Sequence, residues 1–454
     1  MAEEITDNRL GTDPIPKLFW AMSVPMVLQQ FILLLNNIID RVWVAHIPDV
    51  GEAAFTATGV CAPIVYLIIS MSELVGTGVA PHVGFLLGKG ERRKTELTLG
   101  TFFVFNLFMA LVVMLLVEWQ CMPLITLFGG SEQTAELSEI YLRISTLGNA
   151  FCIVSEGLAP FLLAQGRSTE ASVVLAAGVV LNMLLDPLLI FGFDMGMAGA
   201  AWATTIAEMT AAVLAVVFLC RKGDIRLHLW AIRQMDWRLM LPCLALGVTP
   251  MIMILAESLQ LGIYNQALSS MVGDVGVGTM ALVCTLYDFF YFPVFGMAFG
   301  VQAITSYNLG ANRWDRVREN VRLLMKVTLA WSVVVWLLMM LCTEPIVQLI
   351  IGDGTMTDYA VPMVRLSFVV FFIATLQFAS QNTLQAMNHP KITFWLGLSH
   401  TLLLLIPLVW LLPTLLPGRA DAGVFLAQPV TDVLVFGFTG IYLYKTLKTI
   451  DAYE

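Results

Sequence analysis

Residues 181–192 read LNMLLDPLLIFG, so an amide and a carboxylate, Asn182 and Asp186, stand one helical turn apart among leucine, isoleucine and methionine. An ionised carboxylate in hydrocarbon costs several kcal/mol. Asp186 therefore faces protein or water, or takes up a proton. Other acids interrupt apolar runs in the same way: Asp40, Glu73, Glu156, Glu208, Glu257, Asp288 and Asp432. Two carboxylates in a low-dielectric pocket cannot both stay ionised cheaply, so a pair of them suits a shared proton or a small cation such as sodium. Covalent chemistry has no comparable signal. GFLLGK (84–89) lacks the glycine spacing and the Ser or Thr of a phosphate loop. The five histidines are scattered, no GxSxG elbow occurs, and the seven cysteines have no metal-ligand spacing. These absences argue against an enzyme, an ATP-driven pump and a resident cofactor.

The chain that positions these acids has 454 residues, 58% hydrophobic and only 13% charged, with a mean hydropathy of +0.81. Soluble domains carry about 25% charged residues, and runs of roughly 20 apolar residues cross a bilayer. Spans are predicted at 18–46, 53–88, 97–122, 136–165, 168–192, 199–220, 239–269, 276–308, 323–343, 359–387, 391–416 and 423–444: an all-α, polytopic protein of about twelve helices. The N-terminal MAEEITDNRLGTDPIPK is polar rather than a signal peptide. Lys and Arg gather on one side, at 89–94, 221–238, 313–326 and 445–448, whereas the opposite loops hold only Arg419. By the positive-inside rule both termini are cytoplasmic. The net charge of −9 says nothing about nucleic acid.

The sequence also repeats. LLGKGERRK (86–94) answers NLGANRWDRV (308–317), with Gly310 − Gly88 an offset of 222. Arg143 and Arg365 fall at the same offset, while Glu208 and Asp432 fall at 224. Two six-helix halves running the same way are therefore expected, related by an axis along the membrane normal, with substrate held between them. The expected division is 1–222, a cytoplasmic linker 223–238 with an interfacial helix, and 239–454. Within the first half Asp40, Asp186 and Thr204 lie five to seven residues from the outer loops. At ~1.5 Å per residue they share one depth. Gly84 and Gly88 read as a small-residue helix contact, Arg143 and Arg365 as snorkelling residues, and Pro25 as a flexing point in the first helix. Glu73, beside Gly76 and Gly78, is placed for a cavity wall.

DPIPKLFWAMSVPMVLQQ…NNIIDRVWVAH, LLGKGERRK, NMLLDPLLIFG…GAAWATT and PVFGMAFGVQAITSYNLGAN together resemble the multidrug and toxic compound extrusion (MATE) transporters, over about Asp13 to Lys448. The resemblance implies two six-helix bundles around a V-shaped cavity. It implies export of an organic, often cationic compound from a cell (inner) membrane in exchange for protons or sodium. Carried over by position, it implies an ion site in the first half at Asp40, Asn182, Asp186, Ala200 and Thr204. Another branch of the family pairs a helix 7 glutamate, matched by Glu257, with a helix 10 aspartate; Leu366 to Met387 contains no acid. Asp288 is the candidate substitute, with Glu73 a further cavity or second-site residue. The expected partners are a small organic substrate, a monovalent cation and lipid, for a chain working as a monomer. A lipid-linked oligosaccharide flippase of the same superfamily is the alternative, which the predominantly acidic intramembrane charge disfavours.

Overall fold

The computed structural model describes residues 9–48, 50–128, 132–221, 223–352 and 354–451. Among the described residues eleven helices are long and apolar enough to cross a membrane, and a bent pair supplies a twelfth. In chain order they are α1 (Ile15–Ala45), α2 (Ala53–Gly88), α3 (Arg92–Trp119), α4 (Thr134–Ala164), α5 (Ser168–Gly192) and α6 (Gly196–Arg221). Then come α7 (Leu241–Met271), α8 (Asp274–Gly310), α9 (Trp314–Leu341), α10 (Met356–Phe368 with Phe371–Ala386), α11 (Pro390–Leu415) and α12 (Ala420–Thr449). Helices satisfy their own backbone groups, which hydrocarbon demands.

Several boundaries differ from the sequence reading. α3 begins at Arg92 rather than 97 and α9 at Trp314 rather than 323. Arg and Lys are good helix formers whose stems lie along apolar surface, so the helices continue past the point where hydropathy falls. The second span is not one straight helix. It stops at Gly76 and resumes at Val79. At that break a Cβ on Gly78 would lie 1.9 Å from the carbonyl oxygen of Cys243, so only glycine admits the α7 backbone. The tenth span bends by 43° between Phe368 and Phe371. The carbonyl of Val369 freed there accepts a hydrogen bond from Trp336 Nε1 at 2.9 Å. α5 and α11 each contain a π-helical segment, Leu188–Gly192 and Ser399–Leu405. The linker holds the short helix Leu229–Arg233.

The molecule has two lobes that meet in one half of the membrane and part in the other. Their seam lies toward the face carrying both termini. There α1 packs on α8, with Gly300 against Met22 and Gly296 against Val27. α2 packs on α8 and α7: Gly84 against Ser306, Gly88 against Tyr307, Gly310 against Phe85 and Gly247 against Leu74. The small-residue reading of Gly84 and Gly88 thus describes a contact between lobes. Polar ties reinforce it. Arg316 Nη2 donates to the carbonyls of Leu10 (3.0 Å) and Asp13 (2.7 Å). Asn388, in the left-handed backbone region at φ 64°, is 3.4 Å from His82 Nδ1. Toward the opposite face Phe31 approaches Phe289 of the other lobe, with ring centroids 6.2 Å apart. Beyond it a Cβ on Gly59, Gly262 or Gly273 would meet nothing within 4 Å. The result is a V whose cleft opens away from the termini.

Candidate functional site

α5 supplies two of the predicted side chains. Asn182 and Asp186 lie on one face at i, i+4, and Asn182 Nδ2 donates to Asp186 Oδ1 at 3.2 Å. Pro187 follows at once and the helix relaxes into its π segment. Asp40 comes from α1, its carboxyl within hydrogen-bond reach of that of Asp186. Two carboxyl groups so placed form that bond only with a proton between them. Asp186 is fully buried, and its Oδ2 has no hydrogen-bond partner; neither has the buried Oδ1 of Asn36, one turn before Asp40. The pocket thus holds acceptor oxygens in excess of donors, which suits a proton or a small cation.

Around this pair Ile47, Ala200 and Ile190 pack together at the outer ends of α1, α6 and α5. Thr204 turns its hydroxyl back to the carbonyl of Ala200, 3.2 Å away, so it serves its own helix. Tyr141 of α4, unmarked in the sequence, is half-buried within electrostatic reach of both Asp40 and Asp186. The only hint of it is a tyrosine at the start of an apolar run, which the fold alone brings to this spot. Arg143, one turn from Glu139, ion-pairs with Glu139 at 2.9 Å and with Glu118. Pro25 lies inside an unbroken α1, beside the seam residues Met26 and Val27.

The other predicted acids gather deeper and across the cleft. Glu73 accepts a hydrogen bond from Thr77 on its own helix. Glu257 of α7 and Asp288 of α8 are both solvent-accessible. Glu257 lies within electrostatic reach of Asp288 in its own lobe and of Glu73 in the other. Glu73 is in turn linked to Glu156, and Glu156 to Glu208. Cys152 lies within electrostatic reach of both Glu156 and Glu208. Among the described residues no three His, Cys, Asp or Glu side chains converge as a metal cage. Aromatic residues 289–292 divide: Tyr291 stacks on Tyr287 with centroids 5.7 Å apart, while Phe289 faces Phe31.

The sequence profile of the MatE family matches two segments, residues 25–188 and 250–411. The chain belongs to the MatE family. The matched segments start 250 − 25 = 225 residues apart and end 411 − 188 = 223 apart, in step with the internal repeat. The curated relatives include a multidrug export protein MepA of Staphylococcus aureus strain MRSA252, 20% identical over 97% of this chain and 96% of that protein. A MepA of Staphylococcus saprophyticus is 21% identical over 81% of each chain. Solved structures share the fold. A multidrug resistance MATE family transporter of the MOP superfamily in an outward-facing conformation superposes with a TM-score of 0.89, at 17% identity over 98% of this chain and 99% of that one. A MOP superfamily transporter from Pyrococcus furiosus gives 0.87, at 18% identity over 98% and 100%. This MatE protein is a multi-pass membrane transporter by fold and family.

Proposed function

We propose that this MatE protein is a secondary antiporter that exports an organic cation or neutral compound in exchange for protons or sodium bound at Asp40 and Asp186. The reading is carried by the Asp40–Asp186 approach, because a half-buried and a buried carboxyl within hydrogen-bond reach gain or lose a cation as a unit. With the charge bias placing the termini in the cytoplasm, the cleft opens outward. In that state the ion enters from outside. Loading the pair removes the repulsion between α1 and α5 and lets α1 pack closely, whereas an unloaded pair drives the helices apart. Ion and substrate favour different packings of one bundle, so binding of one weakens the other. Were sodium the ion, Asp40, the Asn182 side-chain oxygen and Asp186 would supply its ligands. The accessible acids Glu73, Glu257 and Asp288 would hold a cationic substrate in the cleft, with the two lobes dividing near residues 222 and 239.

Proteoliposomes loaded with a fluorescent organic cation, under a pH gradient or a sodium gradient imposed separately, test this directly. Gradient-driven efflux by the wild type that is lost in Asp186→Asn is the expected result, and the effective gradient names the ion. Efflux that survives both Asp40→Asn and Asp186→Asn would refute the assignment.

A further inference from the structure

Asp432 of α12 is buried, yet among the described residues it is the most heavily hydrogen-bonded acid inside the membrane. His400 Nε2 lies 2.8 Å from its Oδ1, and Gln428 Nε2 donates to Oδ1 at 3.1 Å and Oδ2 at 3.4 Å. Tyr287 OH approaches Oδ2 at 3.4 Å from α8. Gln260 of α7 extends the set, with Nε2 3.5 Å from Gln428 Oε1. With amide, imidazole and phenol all donating to it, Asp432 is held as the acceptor of the group. That orientation leaves Nδ1 of His400 free to take a proton, with the Thr401 hydroxyl 3.4 Å away able to turn from donor to acceptor. His400 itself sits in the π-helical turn Ser399–Leu405, where the i→i−4 pattern is relaxed; such turns recur at functional sites.

The repeat gives the cluster its meaning. α7, α11 and α12 are the counterparts of α1, α5 and α6, which carry the Asp40, Asn182–Asp186 and Thr204 positions. Gln428 − Thr204 and Asp432 − Glu208 are both 224, so Gln428 stands where Thr204 stands in the other lobe. Each lobe therefore has a polar centre on the same three helices, but one is a carboxyl pair and the other a histidine–carboxylate pair.

We propose that His400 and Asp432 form a second protonation site, in the C-terminal lobe, whose proton arrives from the cleft by way of Glu257. Histidine is the side chain whose charge changes between about pH 5 and 8. One proton moves from water to Nδ1, raising the charge of the pair by one. Glu257 is accessible from the cleft and within electrostatic reach of His400. From α7 Glu257 lies within electrostatic reach of His400 and Tyr264 of Asp432, and from α8 Tyr287 and Tyr291 lie within reach of Asp432; Cys284 and Asp288 are the neighbouring titratable groups of α8. The α10 half packed against α12, Phe371–Ala386, contains no titratable residue. In its other half Arg365 turns to Thr343, 3.2 Å away, and Tyr359 bonds Asp421 at 2.8 Å. Among the described residues no Lys or Arg is hydrogen-bonded or ion-paired with Asp432. As a coupling site the pair rests on the antiport reading; as a proton-binding site it does not.

The two are separated by two measurements. In nanodiscs the full-length protein, labelled with nitrogen-15 at its five histidine rings, is titrated by NMR from about pH 5 to 8. His400 is assigned by the signal lost in His400→Gln, or by elimination with variants at the other four histidines should that variant not fold. The His400 ring is expected to take up a proton in this range, and its midpoint to move in Asp432→Asn. A ring fixed in one state, or a midpoint indifferent to Asp432→Asn, overturns the site. In proteoliposomes His400→Gln is expected to lose at least fivefold in pH-gradient-driven efflux while downhill efflux persists. A wild-type pH profile in His400→Gln overturns its coupling role. A wild type that responds to no gradient refutes the antiport reading instead, and the titration still decides the site.

Discussion

Substituting Gly88 by alanine tests whether the close seam holds the lobes in this arrangement. A Cβ at residue 88 would fall 2.0 Å from the carbonyl oxygen of Tyr307 and 2.9 Å from the nitrogen of Ala311. Ordinary contact begins at 3.4 Å, so α2 and α8 must separate by 3.4 − 2.0 = 1.4 Å at that point. The atoms opposing the methyl are backbone, which no rotamer change can move. Overpacking of this kind costs about 1–3 kcal/mol, all of it charged to the state in which the seam is closed. If the seam is open in the alternative state, that cost moves the equilibrium by roughly 5- to 150-fold. The assay is pulsed spin-label spectroscopy between Phe55→Cys on α2 and Val275→Cys on α8, in a chain whose native cysteines are replaced. A shorter distance across the mouth is expected to grow in Gly88→Ala, because the lobes rock and the mouth narrows as the seam parts. Gly262→Ala is the control, since its Cβ meets nothing within 4 Å. An unchanged distance distribution in folded Gly88→Ala, or an equal change in Gly262→Ala, would refute the reasoning.

Arg316→Gln removes the donors to the Leu10 and Asp13 carbonyls and is expected to cost ~1–3 kcal/mol, read as faster proteolysis at the N-terminal segment; an unchanged cleavage rate would count against the tie. Trp336→Phe leaves the Val369 carbonyl at the α10 break without its partner and is expected to lower thermal stability by about 1 kcal/mol, measured by thermal unfolding in detergent. His389 lies between α10 and α11, outside the spans, where burial pushes its pKa below the usual histidine value. A base depressed in the folded state adds stability above its unfolded pKa of about 6.5 and loses it as the pH falls. Between about pH 7 and 5 the melting temperature of wild type is therefore expected to drop more than that of His389→Phe; parallel curves would show that the ring is not neutral by burial.

The twelve spans and the twofold repeat were legible in the sequence, because each rests on composition along the chain. Hydropathy marks a helix that must satisfy its own backbone. Lys and Arg mark the ends, and a constant offset marks duplication. The pairing of Asn182 with Asp186 was equally local, following from one helical turn. Asp40 was brought to the same depth by counting residues from the loops, but depth alone does not put two helices side by side. Tyr141 shows the limit. Nothing in its neighbourhood distinguishes it from any tyrosine near a helix end, and only the packing of α4 against α5 and α6 places it by the acids. The breaks in α2 and α10 were likewise invisible to hydropathy, which averages over the residues where they occur. Asp432 read only as an intramembrane acid matching Glu208 in the repeat, and its tie to His400, thirty-two residues earlier, is made from a π-helical turn of α11 across to α12. Sequence determined which segments enter the membrane and which polar groups they carry in; tertiary structure alone decided which of those groups meet, because every helix has a full circle of directions and only packing selects one.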